Sequence, residues 1–190
     1  SIHNALIVQR DDGVDLVVEV QEHIDPHAVR CIAMDSTAGL RRGLTVVDTE
    51  QPISVPVGPA TLGRMFNVLG QPIDGKGLIA GSATRAVTGR AVAALSRQRI
   101  TQPLRTGIKA VDLLSTVGKG QRMGIFAGSG VGKSVMLGMM ARSSSADINV
   151  IALVGERGRE VREFIERDLG PEGMKRSVVV AVTSDQPALI

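Results

Sequence analysis

Aromatic side chains are nearly absent from this sequence of 190 residues, which contains no Trp, no Tyr and three Phe. The hydrophobic core must therefore be built from Val, Ile, Leu, Met and Ala side chains. No run of basic residues is interleaved with aromatic ones, so the sequence predicts no nucleic-acid surface. We attribute the net charge of +3 to solubility and to affinity for phosphate-bearing ligands.

Cysteine and long apolar runs are also scarce. The single cysteine, Cys31, excludes an internal disulfide and fits a reducing compartment. No apolar run reaches the length that crosses a bilayer, and the N-terminus lacks the charged-then-apolar pattern of a secretory signal. We therefore expect a soluble cytoplasmic protein, with a peripheral position on the inner membrane left open.

The first 75 residues have the pattern of a small all-β domain. Short β-prone runs alternate with turn signals, which predicts a small antiparallel β-barrel over residues 1–75. The expected strands cover residues 5–8, 15–21, 29–34, 44–47 and 53–56. A turn is expected at 23–26, and residues 60–69 are predicted to form a short helix that ends at Gly70. Residues 76–100 are expected to be a linker.

Residues 101–190 change to an α/β rhythm. Apolar runs at 123–126, 150–154 and 177–182 alternate with helical patterns, which predicts a parallel sheet buried on both faces. The expected helices cover 108–114 with Thr106 as a cap, 133–142, and 159–169 with Gly170 and Pro171 at its end. Three strands would leave both sheet edges poorly covered, so we expect a partial sheet from a larger protein.

The stretch AGSGVGKS at residues 127–134 has the spacing of a phosphate-binding P-loop. Its glycines let several backbone N–H groups point at one set of phosphate oxygens, and the following helix adds unpaired N–H groups. Lys133 can reach the β- and γ-phosphates, and the Ser134 hydroxyl can bind Mg²⁺. Ala127 stands where the strict pattern has glycine. A glycine-rich turn with no ligand is the alternative.

A second charged loop, GERGRE at residues 155–160, follows the next apolar strand. Ligands of open α/β sheets bind at the carboxyl ends of the strands, so this loop is expected beside the P-loop. There Glu156 can act as the general base and Arg157 can contact the γ-phosphate. A solvated helix start explains the same residues equally well. Asp185 is a weaker candidate for a Mg²⁺ ligand, and a polar turn is the preferred interpretation.

These motifs and the two-part layout resemble the catalytic subunits of rotary ATPases. VRCIAMDSTAGLRRG at 29–43 and VPVGPATLGRMFNVLGQPID at 55–74 are similar to the ATP synthase β subunit. GKGQRMGIFAGSGVGKSVMLGMM at 118–140 and VGERGREVREF at 154–164 are closer to flagellar and type III secretion export ATPases. A fragment, a chimera of the two branches and an inferred ancestor would each show this mixture.

The resemblance implies a β-barrel followed by a RecA-like domain that binds ATP or ADP with Mg²⁺, in a hexamer-type ring on a peripheral membrane complex. Lys133 would contact the β- and γ-phosphates, Glu156 the hydrolytic water and Arg157 the γ-phosphate. Ser134 would bind Mg²⁺, and Glu160 would belong to its outer shell. The nucleotide-binding set would comprise Gly128, Ser129, Gly130, Val131, Gly132, Lys133, Ser134 and Val135.

The sequence also departs from the family pattern. The first barrel strand, the Walker B aspartate and the arginine finger are missing, so the barrel is expected to be incomplete. We expect the chain to bind phosphate better than it turns over ATP. Two alternatives to an ATPase therefore remain: a nucleotide-binding module with little catalysis, and an interaction role in which the P-loop is vestigial.

Overall fold

The N-terminal part is a four-stranded antiparallel sheet. The computed structural model describes residues 1–89, 91–128 and 130–186. Strands β1 (Asn4–Val8), β2 (Leu16–Asp25), β3 (Ala28–Ala33) and β4 (Val46–Pro52) form a sheet with the order β3-β2-β1-β4. In the described ranges β3 and β4 are its unpaired edges, so this sheet is open rather than a closed barrel.

The alternation expected for a half-buried strand is clear in β2. Leu16, Val18 and Val20 are buried on one face, and Val8 of β1 packs with the first two in a small core. The turn predicted at 23–26 is displaced, because β2 continues to Asp25. The turn lies at residues 26–27. The Asp25 carboxylate fixes it by accepting a hydrogen bond of 2.7 Å from the His27 N–H.

The helix predicted over residues 60–69 is wrong. Strand β6 (Arg64–Phe66) lies in this region, after a 3-10 turn at Pro59–Thr61. Strand β5 (Ser54–Val57) precedes it, and β7 (Ala83–Ala86), which pairs with β5, falls in the predicted linker. Pairing with a distant strand overrides the local pattern: the Gly63 N–H donates to the Ser177 carbonyl at 2.8 Å. A segment inside the predicted barrel domain therefore adds a strand to the sheet of the second half.

That sheet is parallel, as predicted, but one of its three strands is not a predicted one. Strands β8 (Pro103–Leu104) and β9 (Val117–Gly118) form a separate two-stranded ladder around helix α1 (Lys109–Leu114). Strands β10 (Asn149–Glu156) and β11 (Ser177–Thr183) join β6 in the order β10-β11-β6. The predicted strand at 123–126 is absent from the described sheet.

The physical reason is the lack of a neighbour for residues 121–128. A strand exists only where an adjacent backbone completes its ladder, and β10 pairs with β11 alone among the described residues. Met123 is 47% exposed and Phe126 is 96% exposed. An apolar groove of about 800 Å³ separates this segment from β10.

The helices that follow pack on one face of the parallel sheet. Helix α2 (Lys133–Ser143) confirms the predicted helix after the P-loop, and α3 (Gly158–Glu163) continues as π-helical turns over Phe164–Leu169. The shared core comprises Ala141, Phe164, Leu169 and Val179. Gly170 and Pro171 do not end the helical region, because a further helix, α4 (Gly170–Lys175), begins at Gly170, whose φ is 66°.

Buried polar bonds join these elements. The Asn149 side chain donates to the Ala141 carbonyl at 2.8 Å, and the buried Ser177 hydroxyl donates to the Gly173 carbonyl at 2.6 Å. Helix α1 is confirmed, although its capping residue is Ile108 and not Thr106. The Thr106 hydroxyl nevertheless accepts from the Ile108 N–H at 3.2 Å. None of the helices in the described ranges is long and apolar enough to span a membrane.

Candidate functional site

The P-loop turns where its glycines allow it. Gly130 has φ 78° and Gly132 has φ 95°, both in the left-handed region that only glycine adopts without strain. Gly132 is the capping residue of α2, and its carbonyl accepts the first helical hydrogen bond, from the Met136 N–H at 2.9 Å. Helix α2 therefore begins at Lys133, with its unpaired N–H groups on the loop side.

The loop, the end of β10, α3 and the π-helical turns line a cavity of about 420 Å³. On the loop side it is lined by Ala127, Gly128, Gly130, Gly132, Lys133, Ser134 and Val135. On the opposite side it is lined by Glu156, Glu160, Glu163, Arg167 and Asp168. The cavity therefore places the backbone, one ammonium and one hydroxyl of a phosphate-binding loop opposite a row of carboxylates.

Lys133 and Glu156 face each other across this cavity. The Lys133 Nζ lies 3.8 Å from the Glu156 Oε1, and the side chains are 43% and 35% exposed. Both atoms are accessible to a ligand, and the pair is too exposed to be a strong stabilising contact. A phosphate placed in this cavity would compete with Glu156 for the Lys133 ammonium.

The end of β10 sets the position of Glu156. Gly155 has φ 73°, and the ladder with β11 shifts register between Val154 and Glu156. The Glu156 carbonyl accepts a hydrogen bond of 3.0 Å from the Ser184 N–H, which fixes its backbone beside the end of β11. This is the carboxyl edge of the parallel sheet, where the sequence placed the charged loop.

Arg157 and Glu160 form the N-terminal cap of α3. The Glu160 carboxylate accepts from the Arg157 N–H at 3.5 Å and lies 3.8 Å from the Arg157 guanidinium. The Arg157 side chain is 75% exposed and outside the cavity lining. The structure thus brings Glu160 into the site with Lys133, Ser134 and Glu156, but it does not bring in Arg157.

The other predicted residues fall in three groups. Gly128, Gly130, Gly132 and Val135 line the cavity, as the P-loop pattern requires. Val131 is 69% exposed and outside the cavity lining, and Ser129 lies outside the described residues. Asp185 lies in a turn after β11, where a hydrogen bond with the Thr183 side chain lowers the pKa of its carboxyl group.

Three cavity residues were missed at the sequence level: Glu163, Arg167 and Asp168. A signal for Glu163 and Arg167 was present, because Glu160, Glu163 and Arg167 recur at intervals of three and four residues, the spacing of one helix face. Asp168 falls outside this spacing. The Arg167 Nε lies 3.1 Å from the Asp168 Oδ1, and Asp168 is buried against α2. This ion pair belongs to the π-helical turns, a geometry that sequence periodicity does not predict.

Comparison with known proteins places both halves in one family. Residues 1–50 match the β-barrel domain of the ATP synthase alpha/beta family, and residues 107–190 match its nucleotide-binding domain. The flagellum-specific ATP synthase of Treponema pallidum is 47% identical over 96% of this chain and 41% of its own length. The type 3 secretion system ATPase of Xanthomonas euvesicatoria is 52% identical over 80% of this chain and 34% of its own.

Solved structures agree with this fold. The assembled ATPase EscN from the enteropathogenic E. coli type III secretion system superposes with a TM-score of 0.82 and 38% identity, covering 97% of this chain and 44% of EscN. EscN in complex with its central stalk EscO gives a TM-score of 0.86, with 100% and 46% covered. The chain therefore spans less than half the length of these relatives. With both domains matched and the fold shared, this chain belongs to the ATP synthase alpha/beta family.

Proposed function

We propose that the chain carries the nucleotide site of a rotary-type ATPase and contributes to hydrolysis of ATP to ADP and phosphate. One observation carries the proposal: a single cavity of about 420 Å³ places Lys133 and Ser134 of the P-loop opposite Glu156 and Glu160. The relatives' names, flagellar and type III secretion ATPases, support the same activity. For both halves of the chain we favour the secretion branch of the family, because matches to those relatives cover up to 96% of the chain.

Phosphate binding is the first step. The backbone N–H groups of the loop and of the α2 N-terminus hold the phosphate oxygens, and Lys133 supplies a positive charge. The Lys133 Nζ, 3.8 Å from Glu156 without ligand, exchanges this carboxylate for the β- and γ-phosphates. The exchange leaves the Glu156 carboxylate without its cation and available as a proton acceptor.

Glu156 then acts on the attacking water. Its carboxylate orients the water and takes one proton at a carboxylate oxygen, while the water oxygen bonds to the γ-phosphorus. The bond between that phosphorus and the bridging oxygen of ADP breaks, which yields ADP and inorganic phosphate. We keep Arg157 as a γ-phosphate contact, which requires its exposed side chain to turn toward the cavity when nucleotide is bound.

The donor set of the cavity fits Mg²⁺. The Ser134 hydroxyl and the Glu160 carboxylate both line it, and oxygen is the ligand type that Mg²⁺ prefers. Ser134 would bind the ion directly and Glu160 would hold its hydration shell. When bound, Mg²⁺ would neutralise phosphate charge and orient the phosphate chain.

The assembly of the whole protein is also a proposal. The assembled state named for EscN supports an oligomer, and we propose that it is a hexamer-type ring. We also propose a peripheral membrane complex as its site and the cytoplasm as its compartment. We keep the division into a β domain at 1–75, a linker at 76–100 and a nucleotide-binding domain at 101–190. Arg64–Phe66 would then be a contribution of the first domain to the sheet of the last.

A phosphate-binding module with little turnover is the second candidate function. It is favoured by the position of Arg157, whose side chain is 75% exposed and outside the cavity lining. The two candidates differ in the consequence of removing Glu156, because a general base matters for turnover and not for binding.

The discriminating experiment is phosphate release by Glu156→Gln, with Glu166→Gln as a control. Both changes remove one negative charge, and Glu166 is a 69% exposed residue that pairs with Arg162 away from the cavity. We expect Glu156→Gln to lose at least ~100-fold in turnover with nucleotide affinity retained, and Glu166→Gln to match the unmodified chain. Equal turnover in the two variants would contradict the role of Glu156 as general base. Absent turnover of the unmodified chain, with nucleotide binding intact, would favour the binding module.

A further inference from the structure

A groove of about 800 Å³ lies next to the β8–β9 ladder, and all the charged side chains that line it are positive. In the described ranges its cations are Arg97, Arg99, Lys119 and Arg122, and no carboxylate is among the lining residues. None of these four side chains takes part in an ion pair found within the described residues. The positive charge of the groove is therefore uncompensated by that part of the chain.

The ladder holds one wall of the groove in place. The Lys119 N–H donates to the Gln102 carbonyl at 2.8 Å, and the Lys119 ammonium donates to the Gln102 side chain at 3.3 Å. The Gln121 side chain closes the turn by accepting from the Gly118 N–H at 2.8 Å. These bonds hold the Lys119 ammonium in place, so a ligand that binds there loses little free energy to ordering this side chain.

The opposite wall is the segment 97–102, all six of whose residues line the groove. Two of them, Arg97 and Arg99, supply cations, and both residues are exposed. Val92 and Ile100 also line the groove, with exposed fractions of 62% and 51%.

We propose that this groove binds an acidic segment of a partner protein that also carries one small apolar side chain. Four cations with no carboxylate among the lining residues give the groove the complementary charge, and carboxylates match the guanidinium geometry. A single-stranded nucleic acid fits less well, since no aromatic side chain lines the groove for base stacking. A bilayer fits less well because its surface is flat and the groove is concave.

The test measures binding of a labelled nine-residue peptide that alternates Glu and Ser around a central Leu. The double variant Arg97→Glu with Arg99→Glu is compared with Arg42→Glu plus Arg85→Glu, which changes net charge equally at exposed arginines outside the groove. We expect at least a 10-fold weaker Kd for the groove variant, less than 2-fold for the control, and weakening by added salt for the unmodified chain.

The neutral double variant Arg97→Gln with Arg99→Gln controls for misfolding caused by charge reversal. We expect its loss of peptide affinity to be intermediate. Equal losses in the two charge-reversed doubles would overturn the proposal, as would failure of the peptide to bind. Groove-dependent binding of a 12-nucleotide DNA strand or of vesicles with phosphatidylserine, without peptide binding, would also overturn it. Groove-dependent self-association in sedimentation, without peptide binding, would assign the groove to a second copy of the chain.

Discussion

At the scale of single residues, Ser134 carries the proposed link between nucleotide and metal. Its hydroxyl lines the P-loop cavity next to Lys133, and the described residues contain no cluster of three or more acidic, His or Cys side chains that could hold an ion by themselves. Affinity for Mg²⁺ should therefore depend on nucleotide, and the gain in nucleotide affinity from Mg²⁺ should depend on Ser134.

Ser134→Ala tests this dependence. We expect Mg²⁺ to increase ADP affinity of the unmodified chain several-fold and to have little effect on the variant, because a direct ligand is lost. Metal-free ADP affinity should change less than 2-fold. Calorimetric titration with Mg²⁺ or with EDTA measures both, and Ser143→Ala at the other end of α2 is the control. A full Mg²⁺ effect in Ser134→Ala would contradict the assignment.

Asp74 is the residue with the clearest electrostatic role outside the site. Its carboxylate accepts two bonds from Arg64, at 2.6 and 3.0 Å, and further bonds from the Met65 and Lys76 N–H groups. The Arg64 side chain is 13% exposed and that of Asp74 is 6% exposed. The Arg64 guanidinium holds the pKa of the Asp74 carboxyl group well below its usual range.

Because the folded-state pKa is lowered, the stabilisation by Asp74 is present above its unfolded pKa, about 4. It is lost as pH falls through that value toward the folded pKa. We expect Asp74→Asn to lower the free energy of unfolding by about 2 kcal/mol at pH 7. Between pH 5 and pH 3 the difference should narrow by about 1 kcal/mol. Urea unfolding at these pH values measures it, and a difference that stays constant would contradict the argument.

At the scale of elements, the contact between α2 and the π-helical turns sets the position of the P-loop helix. A Cβ added to Gly138 would lie 2.5 Å from the Asp168 carbonyl oxygen, so only glycine permits this approach. Helix propensity alone favours alanine over glycine by up to ~1 kcal/mol in a helix interior. The clash with Asp168 therefore disfavours alanine at position 138, whereas helix propensity favours it.

We expect the steric effect to win, with Gly138→Ala lowering the free energy of unfolding by about 1–3 kcal/mol. The variant should also weaken nucleotide binding, since α2 must move away from Asp168. Gly89→Ala is the matched control, because a Cβ there meets nothing within 4 Å. Thermal unfolding and ADP titration of both variants provide the measurement. A higher free energy of unfolding in Gly138→Ala would contradict this expectation, because it would show that α2 and the π-helical turns can move apart without loss of stability.

The elements also show how far the sequence could be interpreted. Helix α2, β10 and β11 were predictable, because glycine punctuation and apolar runs fix them locally. The strand expected at 123–126 and the helix expected at 60–69 were not, since both depend on a neighbour remote in sequence. Residues 64–66 become β6 only because β11 lies beside them, and residues 121–128 have no described neighbour to complete a ladder.

At the scale of the whole molecule, two sheets divide the chain into an antiparallel half and a parallel half. The order of these halves and the P-loop site between α2 and α3 were predictable from motif and rhythm. The antiparallel β domain was predictable too, and the expected incompleteness of its barrel agrees with the described ranges, where β3 and β4 stay unpaired at the sheet edges. The position of Arg157 was not predictable, because side-chain direction at a helix cap depends on local contacts such as that with Glu160.

The central claim, that the P-loop cavity binds the phosphates of a nucleotide, is tested most directly by Lys133→Ala. Lys175→Ala is the charge-matched control, since Lys175 pairs with Glu172 on the exposed surface. In calorimetric titration with ADP and Mg²⁺, we expect Lys133→Ala to raise the Kd at least ~10-fold, about 1.4 kcal/mol, and Lys175→Ala to leave it unchanged. Equal affinity of the Lys133→Ala variant and the unmodified chain would contradict the account.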